Sequence, residues 1–213
     1  MKHKVVLFDM DGTLLDTIMD MADSVNHVLT VHGWPVRTLE EVRNFVGNGA
    51  GKLIERAVGG AAAPEELPAI VAEYRAWYQT HSCIKTKPYP GIPEVLAALE
   101  KAGVKTAVVS NKPDATTKAL AERFFPGMPA FGQREELPPK PSPALVELAL
   151  AELGVGLGDA AYVGDSEVDV ATARNAGMPL VTVSWGFRGR EKLALAGAET
   201  IVDDAEGLLR ALL

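Results

Sequence analysis

The stretch that most constrains this chain is Val5-Val6-Leu7-Phe8, broken at once by Asp9-Met10-Asp11-Gly12-Thr13. Four apolar residues in a row, two of them β-branched, read as a buried strand. In an open α/β sheet, ligands sit just beyond the carboxyl ends of strands, so the acids after Phe8 would point into a site. Asp9 and Asp11 are alternate residues and share a face wherever the chain is extended. Two carboxylates held that close repel unless a cation, a proton or a chemical role keeps them together. Asp and Gly are also ordinary turn residues, so this stretch taken alone leaves a solvated strand-end turn open.

Downstream, residues 17–83 carry helical signals and no convincing strand. Asp16-Thr17 offers a cap for a helix with Ile18, Met21, Val25, Val28 and Leu29 on one face, ending near Gly33. Thr38-Leu39-Glu40-Glu41 has the form of a capping box. A glycine-rich break over 47–51 leads to a third helix through Leu53, Ile54, Ala57 and Val58, and Glu65 to His81 reads as a fourth. From Lys87 onward strands and helices alternate. Strands are expected over Val104–Asn111, around Ala130-Phe131, and over Ala160–Val163, Leu180–Val183 and Thr200–Val202. That alternation implies right-handed βαβ units and a parallel, doubly wound sheet with helices on both faces. The expected organisation is a Rossmann-like α/β core over 1–16 and 84–213, with an inserted all-helical domain over 17–83.

Bulk properties narrow the function classes. With 213 residues, 47% hydrophobic and 23% charged, the chain is a globular protein. Its net charge of −7 and scattered lysines and arginines argue against nucleic acid. One cysteine, Cys83, allows no internal disulfide or zinc cluster and reads as a small buried hydrophobe. No apolar run is long enough to span a bilayer, and the one after Met1-Lys2-His3-Lys4 is cut short by Asp9. A cytoplasmic protein is expected. His3, His27, His32 and His81 lack metal-ligand spacing, and Trp34 and Trp77 read as packing.

Several strand ends carry polar groups: Asp9/Asp11, Ser110/Asn111, and Asp165 with Asp169 four residues on, with Lys140 ahead of a helix between the last two. Each alone is a common turn or cap. Together, on a parallel sheet, they assemble acids, a hydroxyl with amide donors and an ammonium around one pocket. Asp9-Met10-Asp11-Gly12-Thr13, Ser110-Asn111, Lys140 and Gly164-Asp165-Ser166-x-x-Asp169 resemble the four motifs of the haloacid dehalogenase superfamily, and residues 17–83 resemble its helical cap. The second acid, Asp11, points to the phosphatase branch.

The resemblance implies a phosphomonoester hydrolase working through a phosphoaspartate. Asp9 would be the nucleophile and Asp11 the general acid and base. Mg²⁺ would be held by Asp9, the main-chain carbonyl of Asp11 and Asp165, with Asp169 orienting a water or Lys140. Ser110, Lys140 and the backbone N–H groups of Met10 and Asn111 would hold the phosphoryl oxygens. Val42-Arg43-Asn44-Phe45-Val46-Gly47-Asn48-Gly49 resembles the cap of bacterial phosphoglycolate phosphatases, which makes 2-phosphoglycolate the expected substrate. Arg43, Asn48, Lys52 and Arg56 are then candidates for its carboxylate. The cap would set the substrate, closing on hinges near Asp16-Thr17 and Ile84–Pro88. A Walker loop at 47–52 fails, because Val46 replaces its first glycine and Leu53 its Ser or Thr. Trp185-Gly186-Phe187-Arg188-Gly189 departs from the glycine-tyrosine loop of that subgroup. Pyrophosphate, pyridoxal phosphate and sugar phosphates stay open as substrates, as do a sugar phosphomutase and a phospho-accepting receiver module. A small phosphorylated metabolite is the expected partner, in a monomer or homodimer.

Overall fold

The structure, a computed structural model, describes residues 3–213. Its described residues separate into two compact units, one of residues 3–16 with 88–213 and one of residues 17–87.

The first unit is built on a six-stranded sheet. Its strands are β1 (Val5–Phe8), β4 (Lys105–Pro113), β5 (Ala130–Gln133), β6 (Ala160–Gly164), β7 (Leu180–Val183) and β8 (Ile201–Val202), in the spatial order β5-β4-β1-β6-β7-β8. All of its pairings are parallel. Counted along the chain within this sheet, the order is 3-2-1-4-5-6, that of a doubly wound Rossmann-type fold. The fold is α/β with a Rossmann-like core. β1 lies between β4 and β6 with Phe8 opposite both Val108 and Val163. The strand order reverses beside β1, and Asp9 follows its last residue.

Val5 to Phe8 are each fully buried, because helices cover both faces. Val5 and Leu7, with Ala107, Val109 and Tyr162, form one face against Leu145, Val146, Ala149 and Leu150 of α7 (Ala144–Leu153). The other core helices are α5 (Ile92–Lys101), α6 (Asp114–Phe124), α8 (Glu167–Ala176), α9 (Gly189–Leu195) and α10 (Ala205–Leu212). The strand expected to stop at Asn111 continues to Pro113, with an irregular register between Val109 and Pro113. Two short strands, β2 (Leu15–Asp16) and β3 (Lys87–Pro88), form a separate sheet where the chain passes between the units.

The second unit packs α1 (Ile18–Val31), α2 (Leu39–Phe45), α3 (Gly49–Val58) and α4 (Leu67–His81) around Val25, Leu29, Val42, Leu53, Ile54, Ile70, Tyr74 and Tyr78. The capping box at Thr38 and Glu41 is formed. Thr17 stands at the start of α1 without a side-chain cap, its hydroxyl instead facing the Met21 sulfur at 3.6 Å. The unit runs to Lys87. Near that end the buried Asp20 carboxylate accepts the backbone N–H groups of Lys85 and Thr86 and the Thr86 hydroxyl at 2.8–2.9 Å. Trp77 lies sandwiched between His27, at 3.4 Å, and His81, at 3.8 Å. Cys83 is half-buried rather than buried.

Candidate active site

Everything at the ends of β1, β4 and β6 belongs to the first unit. After Phe8 the chain turns sharply: the Met10 carbonyl accepts the N–H groups of Thr13, Leu14 and Leu15, and the Gly12 N–H donates to the Leu15 carbonyl. Gly12 takes φ +84°, and a Cβ there would lie 2.3 Å from Asp165 Oδ2. Only glycine lets the turn after β1 approach Asp165, at the end of β6, so closely.

The sheet brings Asp9, Ser110, Asn111, Lys140, Asp165 and Asp169 together, all of them buried. Lys140 is the hub. Its ammonium lies 3.0 Å from Asp9 Oδ1 and 2.8 Å from Asp169 Oδ1, and donates to the Tyr162 hydroxyl at 2.8 Å and the Val109 carbonyl at 3.2 Å. Asn111 fixes the backbone of that lysine: its Nδ2 donates to the Lys140 carbonyl and its Oδ1 accepts the Lys140 N–H, at 2.9 and 2.8 Å. Burial alone would favour neutral Lys140, but Asp169 and Asp9 outweigh it and hold its pKa well above the usual lysine range.

Asp169 is the most committed acid. Its Oδ2 accepts the N–H groups of Asp165 and Ser166 and the Ser166 hydroxyl, while Oδ1 accepts from Lys140 and Tyr162. Asp165 accepts the Thr13 hydroxyl at 3.2 Å and the Phe187 N–H at 2.7 Å. That second contact comes from the loop after β7, which Trp185 ties down by donating to the Thr13 carbonyl at 3.2 Å. Gly186 is required there, since a Cβ would sit 2.3 Å from Asp165 and 2.4 Å from the Gly12 carbonyl.

Asp9, Asp165 and Asp169 present oxygens within 4.8 Å of one another, and Asp11 is not a member of that group. Burial, with Asp169 and Asp11 adding to it, pushes the Asp9 pKa up to about 7 against the pull of Lys140. Burial, then Asp169 and Asp9, raise Asp165 well above the carboxylate range. Three buried carboxylates gather here against two cations, the Lys140 ammonium beside Asp9 and Asp169 and the Arg188 guanidinium acting on Asp165, a shortage of positive charge that a divalent cation would relieve. Oxygen-only donors suit a hard ion such as Mg²⁺. Asp9 and Asp165 fit that role better than Asp169, whose two oxygens accept five hydrogen bonds against the two that Asp165 accepts.

Two side chains here escaped the sequence reading. Tyr162 sits in an apolar strand run, and its hydroxyl also donates to the Val109 carbonyl at 3.3 Å. The signal was a hydroxyl inside a strand otherwise made of alanine, valine and glycine. Lys112, two residues past Ser110, lies 3.1 Å from Asp11 Oδ2.

A model for haloacid dehalogenase-like hydrolases matches residues 6–183. The chain belongs to that family. The N-acetylmuramic acid 6-phosphate phosphatase of Pseudomonas aeruginosa is 33% identical over 98% of this chain and 94% of its own length. The phosphoglycolate phosphatase of Caulobacter vibrioides is 36% identical over 92% of this chain and 85% of its own. A crystal structure from Lactobacillus delbrueckii subsp. bulgaricus, assigned as a phosphoglycolate phosphatase, superposes with a TM-score of 0.93 at 35% identity, covering 100% of this chain and 99% of that one. CbbY from Rhodobacter sphaeroides, in complex with phosphate, gives 0.78 at 25% identity over 96% of each chain. The family member described here is thus a hydrolase of the phosphatase kind. No helix among its described residues is long and apolar enough to cross a membrane.

In the helical unit, Arg43 and Lys52 are exposed and Asn48 is half-buried. Arg56 serves the structure of the unit, because its guanidinium donates to the Phe45 carbonyl at 2.7 Å and to Asn48 Oδ1 at 2.9 Å, bracing the turn between α2 and α3. Lys52 pairs with Glu55 at 2.6 Å.

Proposed function

We propose that this protein hydrolyses phosphomonoesters of small metabolites through a phosphoaspartate on Asp9, with Mg²⁺ as its metal and 2-phosphoglycolate as the leading substrate. The observation that carries this is the position of Asp9: first residue beyond the switch-point strand, 3.0 Å from a buried ammonium and within the carboxylate cluster. Phosphoryl transfer needs positioning and charge neutralisation above all, and this pocket is built from both.

In the first step an Asp9 carboxylate oxygen attacks phosphorus in line, and the bond from phosphorus to the ester oxygen breaks. Asp11 gives its proton to the departing oxygen. In the second step water attacks the phosphoaspartate and delivers its proton to Asp11, releasing phosphate and restoring the Asp9 carboxylate. Lys140 and Ser110 hold the phosphoryl oxygens while Asp169 and Asn111 keep Lys140 in place. Asp9 and Asp165, with the Asp11 main-chain carbonyl, would hold a divalent ion, which would supply charge neutralisation for the phosphoryl group. Substrate choice is assigned to the helical unit, with Arg43, Asn48 and Lys52 as the residues to vary. Arg56 is left to brace their turn.

Similarity over almost the full length, at 33% identity, to an N-acetylmuramic acid 6-phosphate phosphatase favours a second substrate, that sugar phosphate. A panel containing both esters, pyridoxal phosphate, hexose phosphates and pyrophosphate, assayed for phosphate release with Mg²⁺ and after chelation, decides between them. Highest kcat/KM on 2-phosphoglycolate and loss of turnover on chelation are the expected results. Turnover that survives chelation, or preference for another ester, overturns the metal or the substrate assignment respectively.

A further inference from the structure

The mechanism above gives no role to the buried Lys112. Its side chain is only 3% exposed, and its ammonium lies 3.1 Å from Oδ2 of Asp11, whose side chain is 12% exposed. Lysine is almost never buried so far unless paired, because an uncompensated ammonium is costly to desolvate. Both ends of this pair are fixed by backbone. The Lys112 N–H points at Ser110 Oγ at 3.3 Å and its carbonyl accepts the Thr117 hydroxyl at 3.1 Å, which pins the end of β4. Asp11 stands in the turn closed by Gly12 and Leu15. The two acids of the D-x-D pair are thereby served by different ammonium groups: Lys140 reaches Asp9, and Lys112 reaches Asp11. Asp11 is also not a member of the cluster formed by Asp9, Asp165 and Asp169.

We infer that Lys112 is a positioning residue that orients the Asp11 carboxyl group for proton transfer and keeps it apart from the metal-binding acids. The inference rests on the assignment of Asp11 as general acid. The step concerned is the first one: Asp9 forms a bond to phosphorus, the ester bond breaks, and the proton on Asp11 passes to the leaving oxygen. An alkoxide needs that proton, whereas 4-nitrophenolate leaves well without it. A misplaced acid therefore slows alkyl esters selectively.

The test compares kcat/KM, which reports the steps up to phosphoryl transfer, on 4-nitrophenyl phosphate and on the alkyl phosphate turned over fastest in the panel above. Lys112→Met should lower the alkyl value by about 30-fold or more, a sizeable part of the roughly 100- to 10,000-fold available to general acid catalysis, and the nitrophenyl value by no more than about threefold. Lys112→Arg, which retains a cation, should recover part of the alkyl rate. Added to Asp11→Asn, Lys112→Met should cost no more than about twofold further, since residues acting through one another are not additive. Equal losses on both esters would overturn the inference in favour of phosphate binding or of packing, with circular dichroism separating a variant that has failed to fold. If Asp11→Asn itself shows no dependence on leaving group, the Asp11 assignment fails. If it does and Lys112→Met does not, only the role of Lys112 fails.

Discussion

Removing metal should make this protein less stable as the pH rises, the reverse of ordinary acid denaturation. The Asp9 pKa is raised to about 7 by burial, from its ordinary value of 3.8. Between those values the folded state keeps a proton that the unfolded chain has released. Its contribution is thus greatest at low pH, falls as pH rises from about 4 to about 7, and is flat above. One excess proton costs about 1.4 kcal/mol per pH unit, so this single acid accounts for about 4 kcal/mol across its window. Asp165 is shifted in the same direction and steepens the slope. Asp114 and Asp203 are lowered, by hydrogen bonds from Lys118 and Arg190 among other groups, and act only at more acidic pH. Lys140 is raised and acts only above the usual lysine range. Urea denaturation followed by tryptophan fluorescence, in chelator and in Mg²⁺, from about pH 5 to about pH 8 measures the slope. The expected result is a fall in stability in chelator, abolished by Mg²⁺ and shallower by about one proton in Asp9→Asn. A metal-free stability that is constant or rises over that window, or an unchanged slope in Asp9→Asn, would refute the charge shortage ascribed to the pocket.

Two further outcomes follow from the geometry. Gly186→Ala forces its Cβ to within 2.3 Å of Asp165, so isothermal titration should show Mg²⁺ affinity reduced by about tenfold or more, the range seen when the groups supporting a ligand are displaced. Tyr162→Phe removes a buried hydroxyl shared by Lys140, Asp169 and the Val109 carbonyl, and should cost about 2 kcal/mol of stability while leaving the circular dichroism spectrum unchanged.

The sheet was legible because its strands are short apolar runs bounded by polar breaks and separated by helices of ordinary length. Parallel βαβ units place the carboxyl ends of all their strands at one edge of the sheet, which is why strand ends distant in sequence could be read as neighbours. What stayed hidden was how side chains share partners. Nothing in Ser110-Asn111-Lys112 says that the asparagine side chain holds the Lys140 backbone or that Lys112 turns toward Asp11. Tyr162 looks apolar in sequence, and its hydroxyl gains meaning only once β6 lies beside β1. Arg56 was an attractive ligand for a substrate carboxylate, yet a helix-spaced cation near a glycine-rich turn has carbonyls within reach, and it takes them.

The account turns on whether phosphorus is transferred to Asp9. Acid quench of the Asp11→Asn variant during turnover of 4-nitrophenyl phosphate labelled at phosphorus, followed by peptide mapping, measures this directly, since its leaving group needs no acid in the first step and the second step lacks its base. The account predicts one phosphoryl group as an acyl phosphate on the peptide containing Asp9, absent when Asp9 is also changed to Asn. Label on any other residue, or continued release of phosphate with no labelled peptide, would contradict it.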